Sequence, residues 1–175
     1  MRQGEIMGLQ VQDLGPDCLY VRHSFNSMDK LKVPKNGETR QVELPFTDLI
    51  QGLFELAQKN PWGVTPESFI FWTERRADAP MTGRHCVDGL REALEKAGFS
   101  KEAAAGYMFH GWRHFYTSYM IEKLGKKLLK SQTGHRTDTM LSLYGDHTIA
   151  GDREKIQIAA TETFGALIPS MARAG

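Results

Sequence analysis

The chain has 175 residues, 41% of them hydrophobic, and a net charge of +1, so it is long enough to bury one core without disulfide or metal staples. Its two cysteines, Cys18 and Cys86, are too few and too far apart in sequence for a disulfide framework or a zinc knuckle. No long apolar run or signal-peptide pattern appears, so we expect a cytoplasmic protein that is neither secreted nor inserted in a membrane.

The first part of the chain is predicted to form a short helix and three strands. The helix covers residues 3–9, and the strands cover residues 19–25, 30–34 and 40–44. The run from Pro34 to Gly37 has turn-forming residues between the last two strands.

The rest of the chain is predicted to be largely helical. Thr47 and Asp48 are expected to cap a helix that ends before Asn60, and Thr82 is expected to start another that ends at Gly98. Residues 69–72 are predicted to form a short buried strand or an extended segment between these helices. We therefore expect an α+β fold that is mainly helical.

The tail after Asp152 is predicted to be one more helix. Its apolar residues have near-helical spacing before Pro169 and are Ile156, Ala160, Phe164 and Leu167. This helix either packs on its own core or docks on a neighbouring protomer.

The polar residues that carry chemistry suit attack by a tyrosine on a phosphodiester. Arginines can hold nonbridging phosphate oxygens through bidentate charge-assisted hydrogen bonds, and Arg2 and Arg113 are candidates for this role. Tyr144 is the candidate nucleophile, and its phenol, with an ordinary pKa of about 10, needs a cationic site that stabilises the phenolate. Arg2, Arg113 and His135 are candidates for providing that charge.

The spacing of these residues supports one shared site. His110 and Arg113 are three apart, so on a helix that begins near His110 they share a face and can point at one phosphate. His135 precedes a plausible N-cap at Thr137 and Asp138. A helix that begins there would favour an anion at its N-terminus and would carry Tyr144 about two turns in.

At this point the chain resembles the tyrosine recombinase, or phage integrase, family. The matching stretches lie in the family's order across nearly the whole chain, and so does the nine-residue gap from His135 to Tyr144. These stretches are residues 2–9 with Asp13, residues 34–45, the run from His110 to Phe115, and residues 133–144.

The resemblance implies a fold, a reaction and a role for each matched residue. It implies a helical catalytic domain with a small three-stranded antiparallel sheet, of the DNA breaking-rejoining type, that acts on double-stranded DNA as a tetramer and uses neither metal nor cofactor. The site residues would be the clamp Arg2 and Arg113, the hydrogen-bond donor His135, the general acid Lys35 in a hairpin turn, His110 as the proton acceptor, and the nucleophile Tyr144. Attack would leave a 3′-phosphotyrosyl ester that a 5′ hydroxyl can reverse.

The chain departs from the family pattern in three places. Thr133 stands where the family has Leu, and the segment from Gly125 to His135 is slightly shorter than usual. The first arginine is residue 2, whereas the family has further helices and a DNA-clamping domain before it. We therefore expect residues 1–175 to be an N-terminally truncated catalytic domain with weak, salt-dependent DNA binding and little recombination of its own.

Basic residues cluster between the motif at His110 and Arg113 and the motif at His135, and directly after the second motif. Its members predicted to contact the DNA backbone are Lys126, Lys127, Lys130 and Arg136. The alternative is a solvated helix end. The net charge of +1 is low for a protein that binds DNA.

Other assignments remain open beside the recombinase. His110 and His114 have a zinc-ligand spacing, but Arg113 between them would repel a cation, so a metal site is not expected. Trp112 and Phe115 are expected in the core. The alternative functions are a DNA-binding remnant without recombination activity and a type IB topoisomerase-like DNA relaxase.

Overall fold

A computed structural model describes residues 1–34, 37, 39–134 and 150–165. The architecture is α+β, with most of the regular structure in helices, as expected. The helices are α1 Gln3–Met7, α2 Thr47–Gln58, α3 Gly83–Lys96, α4 Lys101–Ala105, α5 Phe109–Thr133 and α6 Ala150–Phe164, with a 3₁₀ turn at Val11–Asp13. The strands are β1 Cys18–Val21, β2 Ser24–Asn26, β3 Lys30–Lys32, β4 Arg40–Glu43, β5 Trp72–Thr73 and β6 Arg76–Pro80.

The prediction of one three-stranded sheet is wrong for the described residues. They form three two-stranded antiparallel sheets, in which β1 pairs with β4, β2 with β3, and β5 with β6. The expected strand over residues 19–25 is interrupted at Arg22 and His23, whose side chains face Asp13 at 3.2 Å and 3.8 Å. In the described residues β3 and β4 each pair with a different part of this interrupted strand and not with each other.

Two predicted helix starts have different outcomes. Thr82 caps α3 as expected, because its side chain accepts a hydrogen bond from the backbone N–H of His85. The helix at residue 47 begins where predicted, but Phe46 occupies the cap position and no side chain caps it.

The fold buries three apolar clusters. One joins α5 to α6 through residues that include Met120, Leu124 and Ile156. A second packs α1 and β2 against α3, and a third packs the segment around Leu9 and Ile70 against α2. The helix predicted after Asp152 is therefore present and packs on the core of its own chain.

Helix α5 is interrupted once, at Gly125. Its backbone angles there, φ 71° and ψ 166°, are not helical, and only glycine adopts that region readily. The helix therefore consists of two rods, one carrying His110 and Arg113 and the other running from Lys126 to Thr133.

The expectation that Trp112 and Phe115 are core residues is wrong. Both are exposed, together with Tyr119, on the outer side of α5. Phe109, Tyr116 and Met120 instead fill the buried side, and at 100° per residue the exposed rings lie roughly 100° around the helix from them. We call the side of α5 that carries Trp112, Phe115 and Tyr119 the aromatic face. Neighbouring rings on it contact each other, and the Trp112 ring also contacts Tyr107, which contacts Phe99.

Candidate anion-binding site

The carboxylate of Glu5, which is only 1% exposed, lies between two guanidinium groups. Its Oε2 accepts hydrogen bonds from the backbone N–H of Arg2 at 2.7 Å and from Nη2 of Arg40 at 2.6 Å. Its Oε1 accepts from Nη1 of both Arg2 and Arg40, each at 3.1 Å. Arg40 therefore binds both oxygens in a fork geometry, whereas the Arg2 side chain binds one.

These contacts keep Glu5 ionised. Burial acts to raise the pKa of this carboxyl, but the hydrogen bond from Arg40, the backbone hydrogen bond at Arg2 and the positive charge of Arg40 outweigh it and lower the pKa to about 2. Glu5 is therefore a fixed negative charge at neutral pH.

The same two arginines contact the C-terminal end of α5. Nη2 of Arg2 donates to the carbonyl oxygen of Gly134 at 3.0 Å, and Nε of Arg40 donates to the carbonyl oxygen of Gln132 at 3.3 Å. Gly134 ends the helix in the left-handed region at φ 66°. A Cβ at that position would lie only 3.0 Å from Nη1 of Arg40, so glycine permits both the turn and the close approach.

Arg113 reaches the same place from the first rod of α5. It is only 5% exposed. Burial is the main reason why the pKa of Arg113 is lowered to about 10, and the positive charges of Arg2 and Arg40 lower it further while Glu5 opposes them. Arg113 therefore stays charged at neutral pH within the field of the other two arginines.

The amino group of Met1 lies in this field as well. Burial, opposed by Glu5, lowers its pKa to about 6, and Arg113, Arg40 and Arg2 add to the lowering. We call Arg2, Arg40 and Arg113 around Glu5 the arginine cluster. Three guanidinium groups and one carboxylate leave two positive charges in excess, which is an arrangement that attracts an anion.

Only part of the predicted site lies within the described residues. Arg2 and Arg113, expected to act as a pair, are brought together although 111 positions separate them. Lys35, His135, Tyr144 and Arg136 lie outside the described residues. Gly134, the last described residue before His135, is held directly by Arg2.

His110 and Arg113 both lie on α5, but they differ in environment. Arg113 is buried, whereas His110 is exposed and its ring packs edge-on against the His114 ring at 4.4 Å between centroids. No group of three or more histidine, cysteine, aspartate or glutamate side chains in the described ranges could hold a metal ion.

The predicted DNA-backbone lysines lie on the second rod of α5. Lys126 and Lys127 are exposed at its start, and Lys130 is half-buried. The first two are therefore available to a phosphate, and Lys130 is partly covered.

Glu5 and Arg40 were not predicted as members of the site. Each lies in a stretch that resembles the family. Glu5 lies three residues after Arg2, a spacing at which side chains on one turn of helix meet, and this signal could have assigned it. Its pairing with Arg40 spans 35 positions, and no local pattern indicates it.

A scan against protein-family models found no match to this chain, and searches of curated proteins and of solved structures found no similar protein. None of the helices in the described part of the chain is long and apolar enough to cross a membrane. The function is therefore inferred from the residues and their geometry.

Proposed function

We propose that this chain is the catalytic domain of a tyrosine-type site-specific DNA recombinase, or integrase, of the DNA breaking-rejoining fold. It cuts and rejoins double-stranded DNA through a 3′-phosphotyrosyl intermediate. The observation that carries the proposal is the meeting of Arg2, Arg113 and the α5 end at Gly134 around one buried carboxylate. These are three of the separate stretches on which the resemblance rests.

The electrostatics of the cluster supports a phosphate as the ligand. The two excess positive charges suit a phosphodiester, which carries one negative charge, and arginine forks match the geometry of its two nonbridging oxygens. The lowered pKa of Arg113 reflects burial and positive neighbours, and a bound phosphate would offset the repulsion between them. The charge is preorganised, so it stabilises the transition state without rearrangement.

The reaction uses residues of this chain alone. The Tyr144 oxygen attacks phosphorus as His110 accepts its proton, and the bond from phosphorus to the 5′ oxygen breaks. Lys35 protonates that leaving oxygen, while Arg2, Arg113 and His135 bind the nonbridging oxygens. A 5′ hydroxyl from another strand attacks the tyrosyl ester and restores both the phosphodiester and the phenol. Lys126 and Lys127 bind the DNA backbone near the cut, and the full assembly is a tetramer on DNA.

Covalent capture tests this proposal without knowledge of the target site. The protein is incubated with a pool of nicked duplexes of randomised sequence, since a nick lets the cut 5′ fragment diffuse away and traps the ester. Denaturing gels should show a protein band shifted by attached DNA, and sequencing of that DNA identifies the site. Tyr144→Phe should bind the selected duplex equally well and give no adduct.

Tyr119→Phe is the matched control, because Tyr119 is an exposed tyrosine on the outer side of α5, and it should retain the adduct. An adduct in Tyr144→Phe would refute the nucleophile. DNA binding with no adduct in the wild-type chain would instead indicate the DNA-binding remnant. Relaxation of supercoiled DNA with no requirement for paired sites would indicate the topoisomerase-like enzyme.

A further inference from the structure

Arg40 lies where three parts of the chain meet. It belongs to β4, binds Glu5 of α1 with two nitrogens, and donates its third nitrogen, Nε, to the carbonyl oxygen of Gln132 near the end of α5. Its side chain is only 11% exposed. The guanidinium therefore joins α1 to α5 from the inside of the molecule.

Arg40 and Arg2 share the carboxylate of Glu5. Arg40 takes both carboxylate oxygens in a fork, while the Arg2 side chain contacts Glu5 through Nη1 and the carbonyl of Gly134 through Nη2. Arg2 is also more exposed than Arg40, at 33% of its side chain. Arg40 is thus placed to orient Arg2, and Arg2 is placed to meet a ligand.

Arg40 also contacts Gly134, the residue before His135. The Arg40 guanidinium packs so closely against Gly134 that it would have to shift to admit a Cβ there, which would lie 3.0 Å from Nη1. Gln132 adds to this connection, since its side-chain oxygen accepts a hydrogen bond from the backbone N–H of Glu43 at 2.8 Å. The strand β4 therefore fixes the point at which the chain leaves α5.

We propose that Arg40 is a positioning residue of the arginine cluster. It orients the Arg2 guanidinium through Glu5 and holds the α5 end at Gly134 through direct contact. Its role in DNA cleavage rests on the proposed function, whereas its effect on Arg2 does not.

The first test therefore uses no DNA. Guanidinium N–H signals of ¹⁵N-arginine-labelled protein are recorded, and Arg2 is assigned from the signal lost in Arg2→Lys. Arg40→Lys keeps the positive charge beside Glu5 and hence the fold, but a single ammonium cannot form the fork. The Arg2 signal should shift and broaden in Arg40→Lys and in Arg40→Ala.

Arg22→Ala is the matched control for loss of an arginine beside a buried carboxylate. Arg22 pairs with Asp13, whose side chain is 1% exposed, and its described hydrogen bonds go to Gln12 and Asp13. The Arg2 signal should be unchanged in this variant. An unchanged Arg2 signal in both Arg40 variants would overturn the inference.

The second test measures the rate of covalent capture on the selected nicked duplex. Arg40→Lys and Arg40→Ala should be slower by about 10- to 100-fold, the range for removing a group that orients a ligand-binding side chain. A methylphosphonate at the cut site lacks one charged oxygen, so its cleavage depends less on neutralisation by arginine. The defects of the Arg40 variants and of Arg2→Ala should therefore shrink together on that substrate.

The outcomes separate the two proposals. A full defect of the Arg40 variants on the methylphosphonate, with rescue of Arg2→Ala, would show that Arg40 does not act through Arg2. The Arg2 signal could shift in the Arg40 variants while the wild-type protein forms no adduct with DNA. That result would support the positioning role of Arg40 and refute the recombinase.

Discussion

Replacing Glu5 by glutamine removes the only carboxylate shown to bind the arginine cluster, while it keeps the shape of the side chain. The folded protein holds the pKa of Glu5 at about 2, against 4.5 for the free side chain. At 1.36 kcal/mol for each pKa unit, the charged form contributes about 3 kcal/mol to the free energy of unfolding at neutral pH. Glu5→Gln should lose stability on that scale, because three guanidinium groups then lack their shared counter-charge.

The effect has a definite pH dependence. A carboxyl whose pKa is lower in the folded state contributes its full stability above the unfolded pKa of 4.5. That contribution is lost as the pH falls through the folded value, since the folded state must then bind the proton as well. The difference between wild type and Glu5→Gln should therefore be constant above pH 5 and shrink steadily towards pH 2.

Urea unfolding followed by circular dichroism at pH 3, 4, 5 and 7 measures this difference, and urea avoids the screening that a salt denaturant causes. Glu92→Gln is the matched control, because Glu92 pairs with Lys96 on the exposed side of α3 and surface pairs contribute little. Equal stability of Glu5→Gln and wild type at pH 7, with parallel curves at lower pH, would refute the role given to Glu5.

Four further outcomes are expected. Arg113→Ala should form the covalent adduct at least about 10²-fold more slowly, the scale for one preorganised donor, and a wild-type rate would make Arg113 purely structural. A sulfur in place of the 5′ oxygen, as a better leaving group, should restore cleavage by Lys35→Ala but not by Arg113→Ala, and the opposite pattern would remove the acid role. Gly125→Ala should lower the free energy of unfolding by about 1–3 kcal/mol through backbone strain. Gly89→Ala, at a position in α3 with open space around it, should raise the free energy of unfolding. Chemical denaturation of the two variants measures both changes. Ile156→Ala, at a fully buried position, should cost about 2–5 kcal/mol in the same measurement if α6 packs on its own chain, and a neutral effect would contradict that packing.

Local signals in the sequence were sufficient for most helices. Thr82 as a cap and the apolar spacing of α2 and α6 predict their elements, because these signals depend on neighbours within one or two turns. The sheet was predicted less well. The predicted strand over residues 19–25 is interrupted at Arg22 and His23, which contact Asp13, and that contact is tertiary.

The aromatic face shows a second limit of sequence reasoning. Helix α5 carries aromatic residues on two sides, so hydrophobicity alone does not say which side is buried. A sequence pattern does not distinguish Trp112 from Tyr116. In the structure Tyr116 packs against the cluster between α5 and α6, where the Phe164 ring stacks on it at 5.7 Å.

The candidate site was also predicted only in part. Arg2 and Arg113 were predicted as partners because each belongs to a recognisable stretch, and the structure brings them together. Arg40 was not predicted, because its role comes from a fork to Glu5 across 35 positions. Lys35, His135 and Tyr144 remain predictions, since they lie outside the described residues.

The break at Gly125 makes the position of the C-terminal end of α5 sensitive to the backbone angles at that residue. The second rod, from Lys126 to Thr133, is about 12 Å long at 1.5 Å per residue, so a rotation of only about 10° at Gly125 would move its far end by about 2 Å. Arg2 contacts that end through a 3.0 Å hydrogen bond to Gly134, and Arg40 contacts it through a 3.3 Å hydrogen bond to Gln132. A displacement of this size would break both. The contacts between the arginine cluster and the end of α5 therefore depend on the angle between the two rods.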